Sequence, residues 1–169
     1  MHLLKRVFYM LKNQGFTLLE LMIVIAIIAF LAALSIPTFS KIIAKTKRTE
    51  AYINLQALYA VQKAYWAEHG KYTTQLNGSG GAGWQPEGYH GGGSDEQFYY
   101  TYGFANGAEG QSYFTGKLQT SASYLNGTHA DQNGFVAYAV GDIDGDGQPD
   151  ILSIDQNKII KIVQDDLQD

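Results

Sequence analysis

The feature that most constrains this chain is an apolar run near its N-terminus, in the stretch NQGFTLLELMIVIAIIAFLAALSIPTF. No side chain is charged from Leu21 to Ser40, and the 25 residues from Phe16 to Ser40 carry a single charge, on Glu20. About 20 apolar residues are enough to cross a bilayer as a helix. The run therefore predicts a transmembrane helix. A buried core helix is the less favoured alternative, because so long and uniform a run is rare in a small soluble domain.

Basic residues flank the apolar run on both sides. Three precede it with no acidic residue among them, and four follow it: Lys5, Arg6 and Lys12, then Lys41, Lys45, Lys47 and Arg48. The first group favours a cytoplasmic N-terminus, while the second opposes that orientation. A cleaved secretory signal is a further alternative, but its small-residue cleavage site would follow the apolar region. Here the small and polar residues of 13–15 precede it.

The residues around the start of the apolar run carry a family resemblance. The sequence GFTLLE from Gly15 to Glu20, followed by LMIVIA, resembles the class III leader of type IV pilins and type II secretion pseudopilins. The resemblance covers about the first 55 residues, including Pro37. It implies cleavage by a prepilin peptidase between Gly15 and Phe16 and methylation of the new amine on Phe16.

Glu20 stands where hydrocarbon would normally exclude a carboxylate. A charged side chain inside a bilayer costs about 2.5–3.5 kcal/mol on insertion scales, so such residues are usually retained for a partner. The resemblance implies that this partner is the amine of Phe16 on a neighbouring subunit, which would set the register of assembly. The alternative is that Glu20 reaches the lipid headgroups as an interfacial residue.

The pattern of the helix changes after Pro37, a residue that usually kinks a helix. Apolar residues now recur every three or four positions and predict one buried face: Ala51, Leu55, Leu58, Val61 and Tyr65. Gly70, with His69 before it, is a plausible helix end. The sequence thus predicts one helix of about 50 residues, with a membrane half and an amphipathic half.

The rest of the chain is rich in aromatic and turn-forming residues, and five short segments predict strands. They are Gln97 to Phe104, Ser112 to Leu118, Phe135 to Val140, Ile151 to Ile154 and Lys158 to Val163. The expected fold class is α+β, with the long N-terminal helix packed on a small antiparallel sheet. The chain has no cysteine, so a disulfide cannot close this region and another clasp is needed.

A candidate clasp lies in the acidic stretch GDIDGDGQPD. Three alternating carboxylates, a glycine and a fourth carboxylate resemble a calcium loop, because calcium prefers hard oxygen ligands. The expected ligands are Asp142, Asp144, Asp146 and Asp150, with Asp155 as a possible late one. Ser153 stands where an EF-hand has its bidentate Glu, so the loop is not an EF-hand. A solvated acidic turn without an ion is the alternative.

The resemblance implies a division into a leader (1–15), a transmembrane and polymerisation helix (16–40), an amphipathic half-helix (41–70) and a β-rich head (71–169). It implies a structural subunit of a type IV pilus for adhesion, motility or DNA uptake. The main alternative is the major pseudopilin of a type II secretion system. Expected partners are identical or related subunits, the peptidase, an inner-membrane assembly platform and, before assembly, the membrane. The precursor would lie in the inner membrane with a periplasmic head, and the product would be an extracellular pilus or a periplasmic pseudopilus.

Two other function classes are disfavoured by the residues themselves. Beyond Ala51 the chain has five lysines and no arginine against fourteen acidic residues, so the head offers no basic patch for nucleic acid. A membrane-tethered enzyme is a distant alternative. The four histidines are scattered, and neither a zinc-binding H-E-x-x-H pair nor a G-x-S-x-G nucleophile is present.

Overall fold

The computed structural model describes residues 15–168, except for the side chain of Pro37. The leader positions 1–14 thus lie outside the described residues. The chain forms two compact units, one ending at Thr38 and one beginning at Phe39. The described residues form one α-helix, six β-strands and one short 3₁₀ helix.

Helix α1 spans Leu18–His69, which is 52 residues and matches the predicted length of about 50. Its C-terminal end lies where the sequence placed it. Gly70 adopts a left-handed conformation with φ of 67°, and its N–H donates to the carbonyl oxygen of Trp66 at 2.8 Å. This geometry satisfies one of the last helical carbonyls and prevents the helix from continuing.

The part of α1 in the second unit is amphipathic. Ala51, Leu55 and Leu58 are fully buried, while Ile53 is 65% exposed on another face. The buried positions follow the predicted spacing of three and four residues, which places their side chains on one side of the helix. They join the aromatic core of the head, so this half of the helix is held by packing.

The strands form one antiparallel sheet. Their bounds are Thr101–Gly103 (β1), Tyr113–Phe114 (β2), His129–Ala130 (β3), Phe135–Gly141 (β4), Asp150–Asp155 (β5) and Ile160–Gln164 (β6). The order is β2-β1-β4-β5-β6, and β3 also pairs with β4. The expected α+β class is confirmed. The longest ladder joins β4 to β5 in a register from Val136 opposite Asp155 to Gly141 opposite Asp150.

The core of the second unit is built largely from aromatic rings. Five of them are fully buried, namely Tyr100, Tyr102, Phe104, Phe114 and Phe135. The Trp84 ring meets that of Phe114 edge to face at a centroid distance of 5.6 Å, an arrangement that aromatic quadrupoles favour. Burying each such ring contributes about 1.5–3 kcal/mol. The core therefore does without a disulfide.

Two predicted strands are shorter in the structure. The segment Gln97 to Phe104 keeps only β1, because the carbonyl oxygens of Phe98 and Tyr99 accept from Lys117 and Leu118 in an irregular loop. The segment Ser112 to Leu118 is reduced to β2. The two-residue β3 and the 3₁₀ helix Ala122–Leu125 have no counterpart among the predicted segments.

Candidate functional site

The apolar half of α1 exposes nearly all of its hydrophobic surface. Thirteen large apolar side chains between Leu18 and Ile36 are 45–77% exposed. By length and composition, α1 is the one helix among the described residues that could cross a membrane. Contiguous apolar surface of this extent marks a membrane or protein contact, because water solvates it poorly.

The first turn of α1 is held by a capping box between Thr17 and Glu20. Glu20 Oε2 accepts from the Thr17 backbone N–H at 2.9 Å and from the Thr17 hydroxyl at 2.8 Å. In return, Thr17 Oγ1 accepts from the Glu20 backbone N–H at 3.1 Å. These bonds satisfy backbone donors that have no partner inside the helix. The Thr-x-x-Glu spacing is the sequence signature of a capping box, which reasoning from the charge of Glu20 alone does not find.

The capping box gives one reason for a carboxylate at the start of the apolar run. Its carboxylate has a local role within the chain, beside the neighbouring Phe16, which is 83% exposed. Gly15, at the predicted cleavage position, is exposed and precedes the helix. Pro37 lies inside α1, close to the boundary between the two units, and its kink stays a prediction.

A second feature is the acidic loop that joins β4 to β5, residues 142–149. It brings together three of the predicted ligands, Asp142, Asp144 and Asp146, with Asp166 from the segment after β6. Each of the four offers a carboxylate oxygen, and these oxygens all lie within 4.8 Å of one another. Such an all-oxygen cluster suits a hard divalent cation, calcium above all.

The loop is shaped by hydrogen bonds from its own backbone. The two carboxylate oxygens of Asp142 accept from the N–H groups of Gly145 at 2.7 Å and Gly147 at 3.0 Å. Asp144 and Asp146 each accept from the N–H two residues further on. Both glycines have φ near 90°, a conformation that side chains disfavour. The alternating Asp and Gly pattern thus produces the tight turn that gathers the carboxylates.

Asp150, the fourth predicted ligand, lies elsewhere. It begins β5, is fully buried, and accepts two hydrogen bonds from Arg48 at 2.9 and 2.6 Å. Tyr100 donates its hydroxyl to Asp150 Oδ2 at 2.7 Å, and Arg48 also bonds Asp165. Burial disfavours the Arg48 cation, but these carboxylates outweigh it and raise the pKa of Arg48. Burial first, and then Asp150, raise the pKa of Tyr100 well above its usual range.

Asp155, the possible late ligand, is also outside the cluster. Its Oδ1 accepts from the N–H groups of Asn157 at 2.9 Å and Ile159 at 3.0 Å, which shapes the turn between β5 and β6. The β4–β5 ladder places Asp155 at the end of β5 that is opposite to the acidic loop. Asp150 lies at the loop end, but its carboxylate is bonded to Arg48 and Tyr100.

Asp166 is the residue that sequence reasoning missed. Its Oδ2 accepts from the backbone N–H groups of Ile143 at 2.8 Å and Asp144 at 3.3 Å. The residue is 3% exposed, and its Oδ1 is buried without a hydrogen-bond partner among the described residues. Burial, with added repulsion from Asp144 and Asp146, raises the pKa of Asp166 to about 6. No local motif marks this position, because the β5–β6 hairpin is what returns it to the loop.

The long helix with an exposed apolar first half and an antiparallel β head defines a pilin-like protein. Residues 10–36 match the model of a family described as the prokaryotic N-terminal methylation motif. This segment contains Gly15, Phe16 and Glu20 and extends to Ile36.

Curated relatives agree with this match. The chain is 52% identical over 66 residues to a protein named type IV major pilin protein PilA from Myxococcus xanthus, covering 39% of this chain and 30% of that protein. It is 36% identical over 68 residues to type IV major pilin protein PilE1 of Neisseria gonorrhoeae, covering 40% and 41%. It is 49% identical over 49 residues to a fimbrial protein of Pseudomonas aeruginosa, covering 29% and 32%.

The motif and these relatives show that the N-terminal part of the chain is similar to that of type IV major pilins. The matched region spans less than half the length of each of these three relatives.

Proposed function

We propose that this chain is a structural subunit of a type IV pilus that polymerises through residues 16–40. The observation that carries the proposal is the apolar half of α1, whose thirteen large apolar side chains between Leu18 and Ile36 are 45–77% exposed. Packing these helices against one another in a filament would remove that surface from water. Each buried side chain of this size contributes about 1.5–3 kcal/mol. The names of the curated relatives, major pilin and fimbrial protein, support the same role.

Before assembly, the same helix half holds the subunit in the inner membrane with the head on the periplasmic side. A prepilin peptidase cleaves after Gly15, and the new amine of Phe16 is methylated. The support for this step is the match of residues 10–36 to the methylation motif. An inner-membrane platform then adds the mature subunit to the filament.

Glu20 sets the register of assembly by accepting the Phe16 amine of a neighbouring subunit. Both hydrogen bonds that its carboxylate accepts from Thr17 end on Oε2, which leaves Oε1 for the incoming cation. The capping box thus fixes the position of the carboxylate and leaves one of its oxygens available for a second partner. A misaligned subunit would leave both charges unpaired in an apolar core, at a cost of several kcal/mol.

The proposal assigns no catalytic step to the chain. Its test is electron microscopy of material sheared from cells with and without the gene, with the chain detected in the filaments by antibody. We expect surface filaments that depend on the gene and contain the chain, as expected of a major subunit. Adhesion, twitching and DNA uptake in the deletion strain then show which task the filament serves.

A type II secretion pseudopilin would give a different result. The deletion would leave surface filaments unchanged and would block the secretion of folded periplasmic proteins. That outcome would overturn the pilus proposal in favour of a short periplasmic assembly.

A further inference from the structure

We propose that Asp142, Asp144, Asp146 and Asp166 bind one calcium ion, which fastens the segment after β6 to the acidic loop. The proposal is independent of filament assembly, because all four residues belong to the head. It differs from the motif-based expectation in one ligand, with Asp166 in the place of Asp150.

The buried carboxylate of Asp166 is the observation that points to a ligand. Its Oδ2 has two backbone donors in the loop, whereas its Oδ1 has none among the described residues and is shielded from water. An oxygen of a carboxylate in such a position loses its hydration without compensation. Asp166 is one of the four residues whose carboxylate oxygens lie within 4.8 Å of one another, so a cation bound among them supplies the missing partner.

The charges of the cluster favour a divalent cation. Four carboxylates whose oxygens lie within 4.8 Å of one another repel, and a doubly charged ion neutralises half of that charge. The donors are oxygens alone, which suits calcium or magnesium and does not suit soft metals. Calcium accepts six to eight ligands in irregular geometry, and loop carbonyls or water can complete the set. Magnesium requires a near-ideal octahedron that a loop and a tail segment do not provide.

The surrounding contacts explain what the ion would control. The Lys47 ammonium donates to the Ile143 carbonyl at 2.7 Å, which ties the loop to α1. Arg48, one residue on, bonds Asp165 beside the fourth ligand. The ion would therefore complete a clasp between the helix, the loop and the C-terminal segment. In a chain without cysteine, this clasp takes the place of a disulfide.

The test is calorimetric titration of the detergent-solubilised full chain with calcium chloride after removal of divalent ions. We expect one calcium per chain at a Kd of about 10⁻⁴–10⁻³ M, the range of extracellular calcium modules. Magnesium should bind at least about tenfold more weakly. Tenfold excess of calcium over Kd should raise the melting temperature of the head by about 3–6 °C.

Matched variants locate the site. Asp166→Asn keeps an oxygen for the two loop N–H groups but removes the charge, and we expect at least a tenfold weaker Kd. Asp144 is exposed, so Asp144→Asn should fold whatever its effect on binding. It provides a second measurement, with the same expected loss of calcium affinity. Asp155→Asn is the control, because Asp155 has its own backbone partners outside the cluster, and its Kd should equal that of the wild type.

Three results would overturn the proposal. One is a wild-type chain that binds no stoichiometric calcium at millimolar concentration. Another is an Asp144→Asn or Asp166→Asn variant that binds calcium as tightly as the wild type. The third is equal, weak binding of calcium and magnesium, which would indicate a solvated acidic turn.

Discussion

At the scale of single residues, Glu20 caps the first turn of α1 and has a proposed second role in pairing with a neighbouring subunit. One substitution can separate the two. Gln also serves at the third position of a capping box, so Glu20→Gln should preserve the bonds with Thr17 and lose only the charge. We expect this variant to insert and fold normally but to enter filaments poorly, because the Phe16 amine has no carboxylate to pair with. The measurement is the ratio of sheared to cell-associated subunit.

Thr17→Val is the complementary variant, since it removes the side-chain cap and keeps the charge. It should weaken the first turn by about 1 kcal/mol and assemble better than Glu20→Gln. Wild-type assembly of Glu20→Gln would show that capping, and not charge pairing, is the function of this carboxylate.

Glu50 is a second residue whose charge has a testable consequence. Its Oε1 accepts from the Tyr99 N–H and the Tyr102 hydroxyl, both at 2.9 Å. Burial nevertheless outweighs these bonds and raises the pKa of Glu50 above its usual 4.5. Glu87 lines the same groove as Glu50. A raised folded-state pKa contributes stability that is present below 4.5 and is lost as the pH rises through the raised value.

Glu50→Gln should therefore melt at a higher temperature than the wild type at pH 7, because the amide keeps both hydrogen bonds without the buried charge. The difference should shrink as the pH falls towards 4.5. Glu68→Gln, at an exposed position of the same helix, should show no such trend. A difference that does not change with pH would contradict this account of Glu50.

Single residues also show where sequence reasoning stops. The acidic loop could be recognised because its ligands alternate within one short segment. Asp166 could not, since its place beside the loop depends on the pairing of β5 with β6, which includes Ile151 opposite Gln164. Asp150 was assigned to the loop by spacing alone, and only the position of Arg48 on α1 shows its actual partner.

At the scale of elements, a buried ion pair joins α1 to the sheet. Asp150 is fully buried, and Arg48, Tyr100 and the backbone N–H of Asp166 supply its hydrogen bonds. Arg48→Met would leave this carboxylate without its cation. Removing one partner of a buried pair typically costs about 3–5 kcal/mol, so we expect a loss of that size in the free energy of unfolding.

The measurement is urea unfolding followed by the fluorescence of Trp84, which is buried in the head. Lys45→Met, at an exposed position one turn earlier, is the control and should change stability by less than about 0.5 kcal/mol. Combining Arg48→Met with Asp150→Asn should recover part of the loss, because the second change removes the unpaired charge. Equal stability of Arg48→Met and the control would show that the pair does not hold the helix.

Elements differed in how well the sequence predicted them. The long helix and its end at Gly70 follow from periodicity and one glycine, and the structure confirms them. Of the predicted face, Ala51, Leu55 and Leu58 are buried, while Val61 and Tyr65 are only partly buried. Strands β4, β5 and β6 were close to their predicted bounds because β-rich runs are separated there by turn residues. The strand predicted from Gln97 to Phe104 was too long, because buried tyrosines also pack in irregular loops. The two-residue β3 is too short to leave a recognisable sequence pattern.

At the scale of the whole molecule, the two halves of α1 have different surroundings. In the second unit the helix is bound to the sheet through a buried face and the Arg48–Asp150 pair. In the first unit the helix exposes an apolar surface and the carboxylate of Glu20, which caps its first turn. This division fits the proposed subunit, whose helix would build a filament core while its head faces outward.

The most direct test of this account is a cryo-electron microscopy map of filaments sheared from cells that produce the chain. The account predicts that each subunit begins at Phe16, that residues 16–40 pack in the filament core with the heads outside, and that Glu20 contacts the N-terminal amine of a neighbouring subunit. Filaments in which the heads alone make the subunit contacts, with the apolar helix half outside the core, would contradict it.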